Sequence, residues 1–158
     1  MESTSKFKKY ILPILHFTTL SIVVFSVSVF VIHKSNILIG LVLIGLSCLC
    51  LLSIKLFKIK IRSIEPDIVF GMIDNGILVI LAIVGSKIAG IAGAIIGGVV
   101  GNSITDGIGG IFEGYWAEKL RSKNIQEDRM MLGSSVGKMA GCLLGAGIML
   151  ILAGLFNF

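Results

Sequence analysis

The chain has 158 residues, 55% apolar and 15% charged, with a net charge of +5 and a mean hydropathy of +1.00. Soluble domains carry about 25% charged residues, so water is not the main solvent here. Transmembrane β-strands would be short and alternating, whereas these apolar runs reach about twenty residues, the length an α-helix needs to cross hydrocarbon. The fourteen Lys and Arg residues stand in the breaks between apolar runs, not on one aromatic-interleaved face, which excludes nucleic acid as the expected partner and favours the lipid bilayer with its anionic headgroups.

The pattern predicts an all-α integral membrane protein, multi-pass, forming one membrane domain with five transmembrane helices at 10–32, 37–57, 66–85, 88–112 and 131–156, and a short cytoplasmic connector at 113–130. Lys6, Lys8 and Lys9 before the first run resemble the start of a signal peptide. The run itself is too long for a signal h-region and ends in no small-x-small site, so a retained span is expected. The breaks His33-Lys34-Ser35-Asn36 and Ser86-Lys87 are short enough for tight helical hairpins. Basic residues cluster in the N-terminal tail, after the second span (Lys55, Lys58, Lys60, Arg62) and after the fourth (Lys119, Arg121, Lys123, Arg129). By the positive-inside rule these clusters face the cytoplasm, which puts the N-terminus inside and the C-terminus outside.

Pro66 suits the start of a helix, where its missing N–H costs nothing, and the flanking Glu65 and Asp67 read as interfacial capping acids. Around the fourth span Gly93, Gly97 and Gly101 recur every fourth position, a seam that lets another helix backbone approach closely in lipid. The seam serves either the third span or a second subunit. His16 has no metal partner at helical spacing and reads as a hydrogen-bonded packing residue. Cys48 and Cys50 point about 200° apart on a helix, and with Cys142 they read as buried apolar thiols. Neither a nucleophile-base-acid set nor a phosphate loop is visible, so no enzymatic activity and no permanently bound cofactor are expected.

The chemistry concentrates in Asp74 and Asn75 of the third span, Asn102, Asp106 and Glu113 of the fourth, and Lys138 of the fifth. A charge at the centre of a spanning helix costs about 2.5–3.5 kcal/mol on translocon scales, so such residues face a cavity or a partner. At a rise of roughly 1.5 Å per residue, Asp74 lies roughly 12 Å from the cytoplasmic end, with Lys138 at similar depth. Asn102, Asp106 and Glu113 share one stripe at i, i+4 and i+11. Opposite Asp74 and Asn75, that stripe offers oxygens to a divalent cation or a path to a proton. The other reading is a lipid-shielded polar clamp in which Lys138, as charge partner or switch, neutralises a carboxylate and the Asn side chains bond across helices.

Two segments resemble the vacuolar iron transporter family over residues 70–120. Ile73-Asp74-Asn75-Gly76-Ile77-Leu78 looks like that family's first span, and Gly101-Asn102-Ser103-Ile104-Thr105-Asp106-Gly107, leading to Gly114-Tyr115-Trp116, looks like its second. Asn102, Asp106 and Tyr115 match by position, while ungapped alignment places Asn75 on the family's first acid and Gly110 on its methionine. The resemblance implies proton-coupled transport of a divalent cation, Fe2+ or Mn2+, in a homo-oligomer, a dimer, with the site between helices. The competing expectation is a non-transporting membrane scaffold or accessory subunit whose glycine-rich helix mediates assembly.

Overall fold

The computed structural model describes residues 11–122 and 130–156. The basic residues Lys6, Lys8, Lys9, Lys123 and Arg129, and the expected start of the first span at residue 10, lie outside the described residues. Among those described, all regular structure is helical: α1 (Leu12–Val31), α2 (Asn36–Leu56), a 3-10 turn (Ile61–Ser63), a long helical run (Glu65–Ser122) and a last helix (Met131–Leu155). Four of these helices are long and apolar enough to cross a membrane, which makes the chain a multi-pass membrane protein by length and composition.

The long run is two helices. Ala89 (φ −139°, ψ 27°) and Gly90 (φ 58°, ψ −135°) leave the helical region and divide it into α3 (residues 65–88) and α4 (residues 91–122); the last helix is α5. Gly90 has a backbone conformation that a Cβ would strain, so glycine is what permits the reversal here. Beyond it the arms run back to back. A Cβ at Gly93 would overlap the Gly85 carbonyl, one at Gly97 the Leu81 carbonyl, one at Gly101 would lie 3.0 Å from the Leu78 Cα, and one at Gly109 would strike the Phe70 ring. Partners descend α3 as they climb α4, so the arms are antiparallel.

Two boundaries therefore differ from expectation. Ser86 and Lys87 are helical, because Ser86 satisfies its hydroxyl on the Ile83 carbonyl at 2.7 Å without leaving the helix; the reversal waits for the glycine. Likewise α4 continues past residue 112 to Ser122, through much of the expected connector.

The interior helix is α5, wedged between α2 and α3. One of its faces carries Gly133, Gly137, Gly141 and Gly145, and these meet Ile64, Ile68 and Met72 so closely that a Cβ at Gly141 or Gly145 would overlap backbone. Its other face meets α2, where Gly147 and Gly40 approach each other and the buried Ser47 hydroxyl donates to the Ala140 carbonyl at 2.8 Å. Cys50, Ile54, Ile59, Ile64 and Val136 fill the space between at the end where α5 begins. By contrast α1 buries only Leu20 and Val31. Its polar links to the rest of the bundle are the Ser21 hydroxyl, 4.0 Å from the Met139 sulfur of α5, and His16, whose Nε2 lies 3.1 Å from the Ser53 hydroxyl oxygen. Ser53 spends its own proton on the Cys50 carbonyl at 2.7 Å, so the imidazole is the donor, and its ring stands 4.7 Å from that of Phe57.

Candidate intramembrane polar site

The hairpin brings the acids of α3 and the polar residues of α4 to one level. Asp74 is buried, and its Oδ1 accepts a short hydrogen bond from the Thr105 hydroxyl. Thr105, not Asp106, is thus the α4 residue that meets Asp74. The reason is helical phase: Gly97, Gly101, Thr105 and Gly109 are spaced by four and share the face turned to α3, and Asp106 is rotated from it by about 100°. Asp106 is exposed, and its Oδ2 accepts from Asn102 Nδ2 at 2.8 Å. Asn75 is half-buried. The Glu113 side chain lies outside the described residues.

Two further contacts come from α5. The Lys138 ammonium makes no ion pair with Asp74 or Asp106; it lies 4.4 Å from the centroid of the Phe70 ring, one turn before Asp74 on α3. A Cβ at Gly71 would strike the Lys138 carbonyl and crowd the Cys142 sulfur, so this stretch of α5 lies against α3 between Phe70 and Asp74. Closer to the start of α3, Asp67 departs from its expected role. It stands in the first turn of the helix, but its side chain is turned inward and buried, and its Oδ1 accepts from the Ser134 hydroxyl at 2.8 Å. Its Oδ2 is buried with no hydrogen-bond partner. Glu65, in the same turn, is exposed as expected of an interfacial acid.

The glycine seam of α4 has an occupant within the chain. Gly93, Gly97 and Gly101 pack on α3, whereas a Cβ at Gly107, Gly110 or Gly114 would meet nothing within 4 Å. Among the described residues no three His, Cys, Asp or Glu side chains gather as a metal-holding group.

No protein-family model, curated protein or solved structure matches the chain. The resemblance over residues 70–120 rests on its short motifs.

Thr105, Ser134 and Phe70 were missed in the sequence. Thr105 was detectable from its four-residue spacing to the seam glycines. Ser134 and Phe70 carry no such mark, since their roles depend on where α5 docks.

Proposed function

We propose that the protein is a five-span transporter of divalent metal ions, iron or manganese, coupled to protons, with the N-terminus cytoplasmic, the C-terminus outside and a homodimer as the working unit. Asp74, Asn75, Asn102, Asp106 and Glu113 line the path, and the cation is substrate rather than resident cofactor. The observation that carries this reading is the position of Lys138: it packs against α3 between Phe70 and Asp74, yet its ammonium lies over the Phe70 ring and pairs with neither Asp74 nor Asp106. A polar clamp would close on itself as an ion pair. Carboxylates left without a cationic partner in a low-dielectric region instead create a negative potential that favours a mobile cation or proton. Carboxylate, amide and hydroxyl oxygens form a hard donor environment for a partly hydrated divalent ion.

The scaffold alternative relied on Gly93, Gly97 and Gly101 receiving a partner helix. Their occupation by α3 of the same chain favours the transporter. The test is quenching of an internal dye by Mn2+ or Fe2+ in proteoliposomes. The Asp74→Asn, Asp106→Asn double variant, reconstituted at equal density, is expected to reduce the flux at least about tenfold, as removing the charge of a site ion's ligands requires. Unchanged flux would overturn the proposal.

A further inference from the structure

We infer that Asp67 is a second resting place for the Lys138 ammonium, so that this lysine is a tethered cation that competes with a mobile one for Asp74 and Asp106. The pairing itself follows from the packing of α3 on α5; the competition rests on the transport reading above.

Asp67 is only 7% exposed, and Ser134 satisfies just one of its oxygens, leaving Oδ2 buried and unpartnered. A buried carboxylate oxygen in that condition is costly unless a donor reaches it. Lys138 is the sole basic residue within Met131–Leu155, and α3 has none between Glu65 and Ser86. It is also the basic side chain that the packing places beside the required face. Asp67, Phe70 and Asp74 are spaced i, i+3 and i+7, so they line one face of α3, and the ammonium over Phe70 sits about one turn from each acid. On α5, Ser134 is one turn before Lys138, and it is Ser134 that touches Asp67. Side chains on a helix lean toward its N-terminus, so the aliphatic stem of Lys138 already runs toward the Ser134–Asp67 contact. Rotation about its outer bonds carries the ammonium from the Phe70 face to Asp67 Oδ2, or the other way toward Asp74. Phe70 acts as the midpoint, holding the charge by its ring quadrupole. Its position is set in turn by Gly109, where any Cβ would strike the ring. Asp67 is thus a positioning residue: it draws Lys138 away from the acids that would bind substrate.

A double-mutant cycle on the full chain in detergent tests the pairing without any transport measurement. Lys138→Met keeps the apolar stem and removes the charge; it should lower the melting temperature by about 3–6 °C, and Asp67→Asn in the same background should recover at least half of the loss. Additive effects would overturn the inference. Should Lys138→Met fail to accumulate, recovery of folded yield in the double variant supports the pairing, and no recovery overturns it. In proteoliposomes Asp67→Asn should raise the KM for Mn2+ several-fold with little change in kcat, because the ammonium is released toward Asp74 and Asp106, and Lys138→Met should lower it. KM shifts of the same sign would overturn the competition. Coupled melting with no Mn2+ flux in any variant would leave the pairing standing and remove the transport reading instead.

Discussion

The first and last helices, α1 and α5, are both long and apolar enough to cross a membrane, yet one lies at the rim and the other at the centre. Between Leu12 and Val31 there is neither glycine nor alanine, and Thr18, Thr19 and Ser21 turn their hydroxyls back onto carbonyls one turn earlier, at 2.8, 2.9 and 2.9 Å. Such a helix satisfies itself and presents branched and aromatic side chains to lipid. In α5 glycines face both α3 and α2. Lipid tails are as apolar as leucine, so hydrophobicity gives no reason to prefer one helix for the interior. Close backbone approach does, through dispersion and interhelical hydrogen bonds. Small-residue spacing, not apolarity, decides which helix becomes the core.

The sharpest way to break this contrast is to place equal insults on the two helices. Gly141→Leu in α5 drives a side chain into the Ile68 carbonyl and is expected to cost more than about 4 kcal/mol, since backbone cannot yield as a side chain can. The readout is loss of the monodisperse peak in size-exclusion chromatography. Phe25→Ala in α1, where the ring is 71% exposed, should stay within about 0.5 kcal/mol of the parent by thermal melting. Next in size is Gly90→Ala. Open space surrounds the position, so the whole effect is backbone strain at φ 58°, ψ −135°; the expected loss is about 1–3 kcal/mol, seen as a lower melting temperature. The smallest effect is Ser47→Ala, which deletes the hydroxyl donated to Ala140 and should cost about 0.5–1.5 kcal/mol, read in the same melt. A Ser47→Ala loss matched by Thr18→Ala in α1 would show that interhelical and self-satisfied hydroxyls are equivalent, and the distinction between the helices would fail.

Much of the architecture was legible before any coordinates. Apolar run length and Pro66 locate the helix ends to within a few residues except at the far end of α4, which runs on from the expected residue 112 to Ser122, and the reading of the lone His16 as a hydrogen-bonded packing group agrees with its contact with Ser53. The glycine spacing at 93, 97 and 101 signalled close packing but left its partner open, because periodicity carries no address. The longer series at Gly133, Gly137, Gly141 and Gly145 carries the same signal for α5, and it too names no partner. The polar site was legible in composition but misphased. Grouping Asn102 with Asp106 captured a real hydrogen bond, but the choice of contact to Asp74 turned on a single residue of helix rotation.

Length, hydropathy and the placement of charged residues determined that the chain is helical and built for the bilayer, because a backbone in hydrocarbon has few ways to satisfy itself. They also located acids within spanning helices. Only the tertiary structure decided that α5 is central, that Thr105 rather than Asp106 meets Asp74, that Asp67 is buried on Ser134, and that Lys138 rests on an aromatic ring. Each of these depends on which helix faces which, and on rotations of about 100° per residue that a spacing rule states only relative to the helix itself.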